Sequence, residues 1–137
     1  MVLIQLAGLA QLVMVGIGAC APKLLDWDKH FAGLPVIIRQ MYWTYGGYIL
    51  ATNLFYGILC LGFPEILIAQ NGGAIALCVY LLLFWLGRII IQFTYFDRKA
   101  LGTSRRMQWC EVGMVAVLLF LNATYGAALW FNLEGLT

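Results

Sequence analysis

Charge is scarce in this sequence. Only 10% of its 137 residues are Asp, Glu, Lys or Arg, whereas roughly a quarter of the residues are charged in a typical soluble domain. The net charge of +2 is also small, and a nucleic-acid binder should instead carry a basic face on a soluble fold. These shortages exclude an ordinary soluble domain, and we predict no contact with nucleic acid.

The sequence also lacks the groupings of residues that carry most enzyme chemistry. It contains no phosphate-binding loop, no Gly-x-Gly-x-x-Gly fingerprint, no Gly-x-Ser-x-Gly elbow and no His-Glu-x-x-His pair. Its one histidine, His30, lies in a polar connection, and its four cysteines form no Cys-x-x-Cys pair. We therefore predict no catalytic residues, no metal site and no resident cofactor, which makes an enzyme the less favoured class.

Long apolar runs are what the sequence does have, since 64% of its residues are hydrophobic. A helix needs about 20 mainly apolar residues to cross a hydrocarbon core of about 30 Å. We therefore predict an all-α integral membrane protein, in a bacterial inner membrane or an equivalent one, with a single domain over residues 1–137 and four transmembrane helices in an antiparallel bundle. The predicted helices cover about residues 2–21, 40–63, 73–96 and 107–133.

The connections predict the orientation of the chain. Every Lys and Arg except Arg88 lies in the connection between the first and second helices or in that between the third and fourth. The positive-inside rule places both of these connections in the cytoplasm and both termini on the non-cytoplasmic side. Basic residues at this boundary are expected to contact anionic lipid headgroups. The predicted headgroup contacts are Arg98, Lys99, Arg105 and Arg106.

Arg88 and Glu111 are predicted to lie inside the membrane. Arg88 precedes Asp97 by nine residues and Glu111 follows Arg106 by five, which places them roughly 13 Å and 7 to 8 Å below the cytoplasmic boundary. We expect them to form an ion pair between the third and fourth helices. The pair either joins these helices or marks a binding site or ion path. Gln92, Tyr45 and Tyr48 complete the predicted intramembrane polar cluster.

Small and polar residues form stripes at helical spacing on three of the predicted helices. Such stripes are typical of helices that pack closely in a membrane, although their polar members also suit contact with a ligand. The stripes are Ala7, Gln11, Met14 and Gly18 on the first helix, Gly46, Asn53, Gly57 and Cys60 on the second, and Glu111, Asn122 and Tyr125 on the fourth.

Three functional hypotheses follow from these patterns. The leading one is a small non-catalytic subunit that packs within a larger membrane protein complex or a homo-oligomer. The alternative is a small transporter or ligand-binding bundle that uses Arg88 and Glu111. A weaker one is a subunit of an electron-transfer complex whose aromatic residues, 15% of the chain, contact quinone, carotenoid or chlorophyll. The same aromatic residues are also typical of the belts at a membrane interface.

Overall fold

The computed structural model describes residues 1–95 and 104–137, which contain helices and no strand. Within these residues, four helices are long and apolar enough to cross a membrane: α1, α3, α4 and α5. The all-α class and the four apolar helices predicted from the sequence are thereby confirmed. The elements are α1 (Val2–Leu24), α2 (Trp27–Phe31), α3 (Val36–Gly62), a 3-10 helix (Pro64–Ile68), α4 (Gly72–Thr94) and α5 (Arg105–Glu134).

The boundaries of α1 and α3 differ from the prediction, and a proline lies near each. Helix α1 continues through Pro22 to Leu24, past the predicted end at residue 21. Helix α3 begins at Val36, directly after Pro35, and not at residue 40. Proline disrupts a helix interior but is tolerated at its beginning, because the N–H group that it lacks has no partner within the helix there. Pro35 therefore precedes the first turn of α3 and does not interrupt a helix.

The beginning of α4 also differs from the prediction. The segment Asn71-Gly72-Gly73 suggests a tight turn, but α4 begins at Gly72 and Asn71 is its N-cap. The Asn71 side chain accepts a hydrogen bond of 2.8 Å from the backbone N–H of Ala74. Asparagine is among the best N-cap residues because its oxygen satisfies a backbone N–H group that the helix leaves without a partner.

The four long apolar helices pack chiefly as two pairs. Helix α1 packs mainly against α3, α4 packs mainly against α5, and α1 also contacts α5. Gly8 allows a close approach of α1 and α3, since a Cβ atom placed on it would lie 2.8 Å from both the Gly57 carbonyl oxygen and the Leu61 nitrogen. Further along the same pair, Gly18 faces Leu50. Small residues bring membrane helices together in this way because they let the backbones meet.

The core lies between the two helix pairs and is formed mainly by α1, α4 and α5. Leu118, Leu121 and Tyr125 of α5 are fully buried in it, together with Ala7 of α1 and Cys78 of α4. Ala7 and Gln11, two members of the predicted stripe on α1, are both buried, so this stripe faces other helices as expected. Helix α3 contributes only Gly57 and Cys60 to the buried residues, so most of its surface faces outward.

Candidate functional site

Arg88 is held half-buried between α4 and α5. Its Nη1 atom donates a hydrogen bond of 3.0 Å to Oε1 of Gln92, one turn further along α4. Its Nη2 atom lies 3.8 Å from the sulfur of Met114 on α5, which is a weak acceptor. Gln92 is almost fully buried, with 2% of its surface exposed. The structure therefore brings together two members of the predicted polar cluster, Arg88 and Gln92.

Glu111 lies on α5, three residues before Met114. The side chain of Arg88 thus reaches α5 within one helical turn of the Glu111 position. The ion pair between Arg88 and Glu111 stays a prediction. Such a pair requires that the Arg88 side chain point from α4 toward the beginning of α5. The contact between Arg88 and Met114 meets this requirement.

Tyr45 and Tyr48, the other predicted members of the polar cluster, are exposed on the N-terminal half of α3. The exposed fractions of these residues are 58% and 70%. Their position follows from the pairing of the helices, because α3 packs mainly against α1 and not against α4. The phenol rings therefore face the surroundings of the bundle.

The predicted stripe on α3 divides into two parts with different surroundings. Gly57 is buried against Leu12 and Gly8 of α1, and the sulfur of Cys60 lies 3.5 Å from the hydroxyl oxygen of Tyr125. Tyr125 is fully buried, so this contact joins α3 to α5 inside the core. Toward the beginning of α3, Asn53 is half-buried, and a Cβ atom placed on Gly46 would meet no heavy atom within 4 Å in the described part of the chain.

The beginning of α5 carries two of the predicted headgroup contacts. Arg105 and Arg106 are exposed in its first turn, whereas Arg98 and Lys99 lie outside the described residues. A shallow depression of about 360 Å³ follows one face of this turn and the next. Its lining residues are Arg105, Gln108, Trp109 and Val112.

The sequence did not predict the role of Asn132 in hydrogen bonding. Its Nδ2 atom donates to the carbonyl oxygens of Leu67 at 2.6 Å and of Ala128 at 2.7 Å, and its Oδ1 atom accepts from the backbone N–H of Gln70 at 2.8 Å. Its Nδ2 atom also lies 3.8 Å from the sulfur of Cys78. We call Leu67, Gln70, Cys78 and Asn132 the closed end of the bundle. The spacing of residues could have indicated that Asn132 is buried, because it is seven residues after Tyr125 and therefore on the same face of α5.

Comparison of the chain with known protein families, with curated proteins and with solved structures finds no match. Function must therefore be argued from the chain's own residues and from their positions in the fold.

Proposed function

We propose that this chain is a small non-catalytic membrane subunit that associates with a transmembrane helix outside the chain through the N-terminal half of α3. The observation that supports this proposal is the open space around two successive glycines, Gly46 and Gly47. A Cβ atom placed on either would meet no heavy atom within 4 Å among the described residues. Glycine lets membrane helices approach closely, but here the chain's own helices leave the space open. We call the single turn of α3 formed by Tyr45, Gly46, Gly47 and Tyr48 the open face.

Lipid contact alone explains this face less well than a helix does. Aromatic belts at a membrane interface account for exposed tyrosines, but they do not account for adjacent glycines. Each glycine destabilises a helix interior by about 1 kcal/mol relative to alanine. The exposed surface of α4 offers the contrast, since beside its one open glycine, Gly87, it presents Leu83, Leu86 and Ile90, as contact with lipid requires. A face that carries glycine in place of such residues suits contact with a second helix.

We further propose that neighbouring helices in this subunit run antiparallel, with both termini on the non-cytoplasmic side. Two pairs of contacts support the antiparallel arrangement. Along α1 and α3, Gly8 meets Gly57 while Gly18 meets Leu50, so the residue number falls on one helix as it rises on the other. The basic connections support the orientation, and Arg105 and Arg106 are then available to anionic headgroups.

The association is tested by extracting the protein in a mild detergent and measuring the size and composition of the extracted particle. We expect a defined oligomer of this chain or a stoichiometric complex with other membrane subunits. The matched variants are Gly46→Leu on the open face and Gly16→Leu on α1, where the glycine also has open space. Gly46→Leu should release a smaller particle with the same helix content, and Gly16→Leu should not. A strictly monomeric wild-type protein would contradict the proposal.

A second candidate function, a transporter or ligand-binding bundle, is favoured by Arg88. An ionisable residue within a membrane span is a functional-site hypothesis by default, and this one is half-buried among the helices. The candidate predicts a water-filled path that reaches Arg88. In a chain with its native cysteines replaced, a membrane-impermeant thiol reagent should then label Gly87→Cys and Gln92→Cys but not Leu83→Cys. If the reagent labels neither Gly87→Cys nor Gln92→Cys, this candidate is rejected.

The hypothesis of a quinone, carotenoid or chlorophyll contact needs only the same purified protein. Carotenoid and chlorophyll absorb visible light, which the protein itself does not, so a spectrum of the extracted particle tests for both. A quinone absorbs mainly in the ultraviolet together with the aromatic side chains, so it is sought in an organic extract of the same particle. An absorption spectrum of protein alone, together with an organic extract that contains no quinone, would reject this hypothesis.

A further inference from the structure

Two buried polar side chains and one half-buried one form a separate feature in the interior of the bundle. Gln11 of α1 is fully buried, and within residues 1–95 and 104–137 neither its Nε2 nor its Oε1 atom has a hydrogen-bond partner. The indole Nε1 of Trp85, a residue only 3% exposed, and the Oδ1 atom of Asn122 also have no hydrogen-bond partner among these residues. The amide nitrogen of Asn122 donates to its own helix, at the Leu118 carbonyl oxygen. Each of these four atoms therefore retains hydrogen-bonding capacity in a place that solvent does not reach.

The contacts between helices place Gln11 and Asn122 at the same depth. A Cβ atom on Gly8 would lie 3.0 Å from Cβ of Cys60, and Cys60 in turn contacts Tyr125, so these three residues mark one level of the bundle. Gln11 comes three residues after Gly8 and Asn122 comes three residues before Tyr125. Each step covers about 4.5 Å along a helix axis. Helices α1 and α5 are in contact, so the two amides lie at one level of neighbouring helices.

Trp85 belongs to the same level. A Cβ atom on Gly126 of α5 would lie 4.0 Å from Leu82 of α4, so these two residues lie at one depth. Trp85 comes three residues after Leu82, and Asn122 comes four residues before Gly126. Both steps lead away from the closed end, where Asn132 of α5 meets Cys78 of α4. Trp85 is also part of the buried cluster that contains Ala7 and Leu121. We call Gln11, Trp85 and Asn122 the polar layer.

The chemistry of the polar layer is complementary to a neutral hydroxyl group. Its donors are Nε2 of Gln11 and Nε1 of Trp85, and its acceptors are Oε1 of Gln11 and Oδ1 of Asn122. A group that both accepts and donates hydrogen bonds satisfies such a set, and water and alcohols are the common examples. None of the three side chains is ionisable, which disfavours an ion. We propose that the polar layer binds a hydroxyl-bearing neutral molecule, either internal water or the hydroxyl group of a small organic ligand.

Nuclear magnetic resonance of the indole N–H group of Trp85 tests this proposal in the full-length protein. The protein is labelled with nitrogen-15 at tryptophan and held in perdeuterated detergent, and the Trp85 signal is assigned from its loss in Trp85→Phe. We expect a through-space cross-peak from the Trp85 indole proton at the water frequency, to which hydroxyl protons also exchange. A cross-peak at that frequency alone identifies water, whereas additional cross-peaks to C–H protons of no protein residue identify an organic ligand.

Variants of two glutamines on the same helix provide the control. Gln11→Leu should remove the cross-peak because it removes both amide atoms from the layer, whereas Gln5→Leu, the same change at a half-buried position of α1, should retain it. A Trp85 proton with cross-peaks only to the side chain of Gln11 or Asn122 would show a direct bond and overturn the proposal. If Gln11→Leu does not fold, the wild-type spectrum still decides. The outcome is independent of the open face, since a monomer would retain the polar layer.

Discussion

The closed end of the bundle and the open face of α3 use small and polar residues in opposite ways. At the closed end, the Asn132 side chain forms hydrogen bonds with two carbonyl oxygens and one backbone N–H group. Its polar atoms therefore have their partners within the chain. At the open face, Gly46 and Gly47 leave space that no described residue fills. The comparison teaches that the described residues complete their own packing at one end and leave a helix surface open at the other.

The largest effect is expected where α1 and α3 meet. In Gly8→Leu the new side chain would meet backbone atoms of Gly57 and Leu61 at 2.8 Å, and backbone cannot move aside as a side chain can. Overpacking costs about 1–3 kcal/mol in general, and we expect about 3 kcal/mol here. The measurement is the free energy of unfolding in mixed detergent micelles. Gly16→Leu, on the same helix but with open space around it, is the control, and an equal loss in both variants would contradict the role of the α1–α3 contact.

The next effect concerns the closed end. Asn132→Leu would leave the carbonyl oxygen of Leu67 and the backbone N–H of Gln70 without their present partner. Unsatisfied buried groups of this kind cost roughly 1–3 kcal/mol, and we expect a loss of unfolding free energy in that range. Asn53→Leu makes the same chemical change at a half-buried position of α3 and should cost under about 0.5 kcal/mol. A comparable loss in Asn53→Leu would mean that the two ends do not differ as described.

The sequence predicted the helices well because the apolar runs are long and few charges interrupt them. It predicted that Ala7 and Gln11 would face other helices, since spacing alone determines which residues share a face. It did not predict where the stripe on α3 changes from buried to open. That change occurs between Gly57 and Gly46, and it depends on which residues of α3 lie against α1, which no periodicity within α3 records.

The polar contacts were less predictable than the helices for a related reason. An asparagine in an apolar helix indicates that a partner is needed, but not which one. The main partners of Asn132 outside its own helix are backbone groups of Leu67 and Gln70, which the 3-10 helix and its end expose. Backbone groups are present at every residue, so their availability cannot be read from residue types.

A smaller effect is expected beside Arg88. Gln92→Leu removes the amide oxygen to which Nη1 of Arg88 donates, and a hydrogen bond to a charged group is worth about 1.5 kcal/mol at the lower end of the usual range. We expect a loss of that size in the free energy of unfolding. Gln40→Leu, at an exposed position near the beginning of α3, is the control. No change in Gln92→Leu would indicate that other contacts of Arg88 suffice to hold it.

The smallest effect is expected at the N-cap of α4, which lies next to the closed end. Asn71→Ala removes the oxygen that accepts from the Ala74 N–H and should cost about 1 kcal/mol, whereas Asn71→Asp retains an oxygen at that position and should cost less. Hydrogen exchange locates the change, because the Ala74 amide should lose protection while amides near Gly46 should not. If exchange also rises near Gly46, the closed end supports the open face from a distance, and the two regions form one cooperative unit.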